Sequence, residues 1–163
     1  MKKKRIYIFL ILLFAFNKIS YSQQPFLTIY YYYGEKSKDS HSTTENISIR
    51  DSTILYSVKY SGMRGSNQRN EEKTCTLTIE QLEKINKTIN DKHLAATDSV
   101  IINNEAHNSG YDINTTVIIT LIRSGKTTRA KTKGSPSNLK DKPLYKNSLY
   151  LLETIKSMLK LCQ

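Results

Sequence analysis

The sequence predicts an α+β domain built on an antiparallel sheet of six to seven strands, curved or rolled, with two helices packed on one face. Two observations predict this class. Segments in which apolar and polar residues alternate occur in two runs, and each run is followed by a segment with helical periodicity. The expected order along the chain is four strands, a helix, three strands and a helix. One such domain accounts for residues 23–163.

The first 22 residues have the pattern of a cleavable secretory signal peptide. Basic residues at positions 2–5 precede an apolar stretch over 6–16, and small residues stand before the expected cleavage site between Ser22 and Gln23. An uncleaved anchor is the alternative, but a helix of that length spans about 16 Å against a hydrocarbon core of about 30 Å. We therefore expect an exported chain, periplasmic or extracellular, with no transmembrane segment after cleavage.

Removal of the signal peptide changes the charge balance. The whole chain has a formal charge of +11, whereas residues 23–163 hold 20 basic and 14 acidic side chains, a net +6. The excess is local, because residues 123–163 hold ten basic and only two acidic side chains. The basic character of the mature chain thus belongs to its C-terminal quarter.

The N-terminal half of the domain predicts four strands. Aromatic and β-branched residues dominate the first, which Gly34 ends ahead of a polar loop over 35–45. The second and third are separated only by Asp51 and Ser52, which indicates a hairpin. The predicted strands cover residues 26–33, 46–50, 53–60 and 72–78, with another loop over 61–70.

A helix follows at residues 79–91. Thr78 and Gln81 have the spacing of a capping box, and Glu80 lies in the first turn, where the helix dipole favours an anion. Ile85 and Ile89 continue a narrow apolar stripe along the helix.

The C-terminal half predicts three more strands and a second helix. A short strand covers 99–102, and the apolar run within 113–123 indicates a central strand that is buried on both faces. Residues 126–132 alternate but are polar on both faces, which is typical of an edge strand protected by Lys and Arg. A loop with Gly134, Pro136 and Pro143 then leads to a helix. The apolar stripe of this helix includes Leu151, Ile155 and Cys162.

Cys75 and Cys162 are the two cysteines of the chain. An even number of cysteines in an exported protein favours a disulfide, and two buried free thiols are the alternative. Both residues lie on apolar sides of their predicted elements, so both are expected to face the same core. A bond between them would tie the C-terminus to the sheet.

Catalytic and cofactor motifs are not recognisable in the sequence. The histidines lie in or beside predicted loops without metal-ligand spacing, and no nucleophile elbow or phosphate-binding loop is found. We therefore predict no metal and no cofactor. The alternative is a small hydrolase with a site built from loops near His107, Tyr111 and Asp112.

Two residue groups are candidate binding residues. One predicted hairpin carries a group of cations that could bind an anionic surface such as lipid head groups, an anionic polysaccharide or an envelope protein. These cations are Arg123, Lys126, Arg129, Lys131 and Lys133. The alternative is that these cations only protect a sheet edge and maintain solubility. Nucleic acid is not expected as a partner because the chain is exported.

Tyr30 and Tyr32 form the second group. Both lie on the strand face opposite Leu27 and Ile29, where they would form an aromatic strip if the face is open and part of the core if it is covered. Taken together, the sequence predicts an exported, non-catalytic binding or interaction module.

Overall fold

A computed structural model describes residues 26–36, 41–62, 69–95, 99–102 and 112–162. The predicted signal peptide and the bond between Ser22 and Gln23 lie outside the described residues. Within the described ranges the chain is an α+β fold, as predicted. Its elements are β1 (Leu27–Lys36), β2 (Ser42–Arg50), β3 (Thr53–Ser61), β4 (Arg69–Thr76), α1 (Ile79–Asp91), β5 (Ser99–Ile102), β6 (Asp112–Arg123), β7 (Lys126–Gly134), α2 (Pro136–Leu139) and α3 (Pro143–Leu161).

The strands form one sheet in the order β4-β3-β2-β1-β6-β7-β5. Six strands pair antiparallel with their neighbours, which confirms the antiparallel prediction, whereas the four-residue β5 joins β7 in parallel. The order along the chain differs from prediction in one further detail. A one-turn helix, α2, begins at Pro136 inside the predicted loop, where the fixed φ of proline suits a first helical position.

The hairpin at Asp51 and Ser52 is confirmed. Arg50 pairs with Thr53, and Asp51 has a φ of 51°, the left-handed conformation that Asp tolerates in tight turns. The hairpin predicted from the strands on either side of it is also present between β6 and β7, where Ser124 and Gly125 have φ values of 50° and 76° that match a type I′ turn.

Two loop boundaries predicted from composition are wrong. β1 continues through Gly34 to Lys36, and β2 starts at Ser42, so residues 42–45 are strand and not loop. The reason is that β1 pairs on both sides: Gly34 lies opposite Ser42 in β2 and opposite Asn114 in β6. Backbone hydrogen bonds to two neighbours extend a strand past its apolar residues. β4 likewise begins at Arg69, inside the second predicted loop.

The capping box of α1 is confirmed. The Thr78 hydroxyl accepts a hydrogen bond from the backbone N–H of Gln81 at 3.2 Å, and the Thr78 N–H donates to Gln81 Oε1 at 2.8 Å. Two of the otherwise unpaired N–H groups are thereby satisfied, which fixes the point at which the helix begins.

β6 lies between β1 and β7 and is a central strand, as predicted, but it is not fully buried on both faces. Val117, Ile119 and Leu121 are buried, whereas the alternate residues between them are only half-buried. The edge assignment of β7 is wrong, because β5 pairs with its far side. Its short Ala130 and its Thr132 are buried, since they face the core beside β6.

The core combines one face of the sheet with residues of the helices. Ile29, Ile47 and Ile119 from the strands belong to the same buried cluster as Ile89 of α1 and Ile155 of α3. The predicted disulfide between Cys75 and Cys162 is present, with its Cα atoms 6.0 Å apart and 87 positions apart in sequence. It joins β4 to the end of α3.

Candidate functional site: the open face of the sheet

Alternate residues of the strands point away from this core and form what we call the open face. It consists of the even-numbered residues of β1, β2, β4 and β6 and the odd-numbered residues of β3 and β7. Apart from Gly34, which has no side chain, none of these positions is buried among the described residues for which exposure is given. Among the described residues, the opposite positions of the same strands supply half of the buried hydrophobic side chains, and the helices and connections supply the other half.

The strand register places the predicted binding residues in two adjacent rows. In the first row Tyr30 of β1 lies opposite Ile118 of β6, which lies opposite Lys131 of β7. In the second row Tyr32, Thr116 and Lys133 have the same relation, each two residues away from its counterpart in the first row. With strands about 4.8 Å apart, each tyrosine is about 10 Å from the lysine in its row, measured between Cα atoms.

Five of the seven predicted binding residues therefore share the open face, with Arg129 next to Lys131 on β7. The structure places Arg123 and Lys126 on the opposite side of the β6–β7 hairpin. Arg123 donates hydrogen bonds to Asn86 Oδ1 at 2.9 Å and Asn90 Oδ1 at 3.0 Å, so it fastens the end of β6 to α1. The cations of this hairpin are thus divided between the two faces.

The ring of Tyr32 leans along β1 over Gly34. A Cβ atom at Gly34 would collide with the Tyr32 hydroxyl and with Cζ of the ring. The absence of a side chain at Gly34 therefore leaves room for the Tyr32 ring to lie against the sheet, and the ring in turn shields Gly34 from solvent.

A depression of about 460 Å³ lies beside Tyr30 on the same face. Its open-face lining is mostly hydroxyl and amide side chains from β1 to β4, with one aliphatic residue and one acid. The volume is within the range of small-ligand sites, which is about 300–1,000 Å³. These lining residues are Thr28, Tyr30, Asn46, Ser48, Leu55, Ser57, Glu72 and Thr74.

The open face carries a positive charge excess. Its described side chains include the cations of Arg50, Lys59, Arg129, Lys131 and Lys133 and a single carboxylate, that of Glu72. Cations on both β3 and β7 flank the tyrosines of β1. An anionic ligand is therefore favoured over a cationic one across the width of the sheet.

A second polar group lies on the core side of the sheet and was missed by sequence reasoning. Glu45 is 6% exposed, and its carboxylate accepts hydrogen bonds from the Tyr56 hydroxyl and from Lys156 Nζ, each at 3.1 Å. The sequence placed Glu45 in a loop, so its burial on β2 could not be inferred. The alternation of Glu45 with Ile47 and Ile49 is the one signal that could have found it.

Burial and the Glu45 charge alter the acid–base properties of this cluster. Burial, followed by the charge of Glu45, raises the pKa of Tyr56. Burial alone would lower the pKa of Lys156, but the hydrogen bonds and charges of Glu45 and Glu153 together outweigh it and leave that pKa raised. Burial also raises the pKa of Tyr31, which lies across from Glu45 on β1. The lysine and both phenols keep their protons, which fits a structural ion pair between β2 and α3.

The hydrolase alternative cannot be placed on this geometry. His107 and Tyr111 lie outside the described residues, and Asp112 is described only as the first backbone position of β6. Within the described ranges no three His, Cys, Asp or Glu side chains come together in a way that could hold a metal ion.

Comparisons with known proteins do not assign the chain to a family. No protein-family model matches the sequence, and no curated protein matches it. A search of the described helices for membrane spans finds none of sufficient length and hydrophobicity.

Proposed function

We propose that the protein is an exported, non-catalytic binding module and that it binds an anionic polymer across the open face of its sheet. The observation that carries the proposal is the register that sets Tyr30 and Tyr32 in the same rows as Lys131 and Lys133. Side chains that are far apart in sequence become neighbours on one accessible surface. The tyrosines supply aromatic rings on which a ligand can pack, and the lysines supply cations that can pair with its acid groups.

Export is supported by two features. The N-terminal sequence predicts a signal peptide, and the disulfide between Cys75 and Cys162 is a bond that persists in oxidising compartments. The compartment we propose is the periplasm or the cell exterior, where anionic polymers of the envelope or matrix are the ligands within reach.

The division of the sheet supports the same function. We propose that both long helices pack on the core side, where α3 is bound by the disulfide and by the hydrogen bond from Lys73 Nζ to the Leu159 carbonyl at 2.6 Å. This arrangement leaves the other face for a partner. A sheet with one covered and one accessible face is common among antiparallel folds.

The test is binding of the purified chain to an immobilised polyanion, dextran sulfate, over a range of salt concentrations. Replacing Lys131 and Lys133 with Ala removes two open-face cations, and we expect roughly three- to tenfold weaker binding and a reduced dependence on salt. The matched control is Lys140→Ala with Lys142→Ala, which removes the same charge from the turn between α2 and α3. Equal losses in the two variants would show that only net charge matters and would refute the open-face site.

A further inference from the structure

We infer that the anionic polymer is an acidic polysaccharide, whose sugar rings stack on Tyr30 and Tyr32 while its acid groups pair with the cations of β7. This inference rests on the proposed function, since it names the ligand class of the same surface. Three properties of the open face point to sugar and not to another polyanion.

The first property is the posture of the aromatic rings. Tyr32 leans over Gly34, which has no side chain to lift it, and both Tyr30 and Tyr32 are half-buried. A half-buried ring held along a surface can present a flat apolar face, and the C–H groups of a sugar ring pack on such faces. Tyr30 also borders the depression of about 460 Å³, so a ring stacked there has room for its neighbour in the chain.

The second property is the chemistry between the tyrosines and the sheet edges. Threonine, serine and asparagine occupy most of the remaining open-face positions around the two rows, and each can donate and accept hydrogen bonds. Sugar hydroxyl groups need partners of this kind. These positions are Thr28, Thr44, Asn46, Ser48, Ser57, Asn70, Thr74, Thr116 and Thr120.

The third property is what the face lacks. Among its described side chains, the larger aliphatic ones, Leu55, Ile118 and Ile122, lie in three different rows among polar residues. A lipid surface or the apolar face of a partner helix would need a contiguous apolar patch. Lys131 and Lys133 lie in successive rows of one strand. They can therefore each pair with one of the acid groups that are spaced along a polysaccharide chain.

The experiment compares two polyanions that both carry carboxylates, polygalacturonate and poly-L-glutamate, with neutral dextran as a third ligand. Binding of the purified chain is measured at one salt concentration and matched carboxylate concentration. We expect polygalacturonate to bind about tenfold more tightly than poly-L-glutamate, since only the sugar can stack. Dextran should bind more weakly than polygalacturonate, because it cannot pair with the lysines.

Two variants test the stacking itself. Tyr30→Ala with Tyr32→Ala should weaken polygalacturonate binding about tenfold and leave poly-L-glutamate binding unchanged. Gly34→Ala should do the same to a smaller degree, about threefold, because the new methyl group displaces the Tyr32 ring without removing it. Tyr150→Ala is the control, since Tyr150 lies exposed on α3. Circular dichroism and a thermal unfolding midpoint for each variant separate a lost fold from a lost contact.

The outcomes distinguish the inference from the proposed function. If both polyanions bind equally, with a lysine-dependent affinity that the tyrosine variants do not alter, the polysaccharide assignment is overturned and the anion-binding surface stands. If poly-L-glutamate binds more tightly, the ligand is an acidic protein segment. If no polyanion binds, or if the lysine variant binds as well as wild type, the proposed function fails as well.

Discussion

The two faces of this sheet are built from the same strands and have opposite chemistry. In β6 the core-side residues Val117, Ile119 and Leu121 are at most 2% exposed, while Ile118 and Thr120 between them remain half-buried. On the core side, aliphatic side chains are shielded from water, whereas on the open face tyrosine, threonine and lysine side chains remain accessible to water. The difference teaches that neighbouring residues of one strand belong to different environments, so a substitution in the core and one on the proposed binding face can be made one position apart.

Charges follow the same division. On the core side the buried carboxylate of Glu45 has two hydrogen-bonding partners, which offsets the cost of removing it from water. On the open face the cations are spread over strands and are exposed or half-buried. The buried charge of Glu45 is thus compensated within the fold, whereas the open-face cations are accessible to solvent, as the proposed binding surface requires.

The largest effect is expected from the disulfide, which belongs entirely to the core side. Replacing Cys75 and Cys162 with Ala should lower the free energy of unfolding by up to about 4–5 kcal/mol, because the bond closes a loop with a separation of 87 positions. Urea unfolding with and without dithiothreitol measures this. Reduction should destabilise wild type and leave the variant unchanged, while the folded fraction of each keeps its polyanion binding. A loss below about 1 kcal/mol would contradict the prediction.

Adjacent isoleucines in β6 give the next test and compare the faces directly. Ile119→Ala removes a fully buried side chain and should cost about 3–4 kcal/mol, whereas Ile118→Ala removes a half-buried one and should cost about 1 kcal/mol. Urea unfolding of the two variants gives both values. If the open face binds a polyanion, the order should reverse for binding, since Ile118 lies between Tyr30 and Lys131 on that face whereas Ile119 lies on the core side. Equal costs in stability would mean that the open face is covered.

The elements with local signals could be predicted from the sequence. The capping box at Thr78 and the two-residue turn at Asp51 act over a few positions, so their chemistry is visible in a short stretch. The pairing of β7 with β5 and the extension of β1 past Gly34 could not be inferred, because both depend on a neighbouring strand that is distant in sequence. The residues of a strand do not themselves show which distant strand will pair with them and lengthen it.

The candidate site shows the same limit. Strand alternation places Tyr30 and Tyr32 on one face, and charge counting finds Lys131 and Lys133, but nothing in either segment shows that they share a surface. That fact requires the registers of β1 with β6 and of β6 with β7 together. Arg123 shows the opposite case. It lies beside the other cations in sequence, but its hydrogen bonds go to α1 and it does not share the face of Lys131 and Lys133.

The smallest expected effect concerns the buried cluster around Glu45 and sharpens the contrast between paired and spread charges. The folded-state pKa values of Tyr56 and Lys156 are both raised above their ordinary values of 10.0 and 10.5. The folded state therefore holds these protons more tightly than the unfolded state. Their contribution to stability is complete below about pH 10 and is lost as the pH rises through the folded-state values.

Urea unfolding between pH 8 and pH 11 should show this loss above pH 10. Tyr56→Phe removes the hydrogen bond to Glu45 Oε2 and should lower the free energy of unfolding by about 1 kcal/mol at pH 8. It should also make the alkaline decline shallower, because one of the titrating groups is gone. Tyr150→Phe, on the exposed surface of α3, is the matched control and should keep the wild-type slope. If Tyr56→Phe keeps that slope too, the Tyr56 phenol does not contribute to the alkaline loss of stability, and that part of the prediction is wrong.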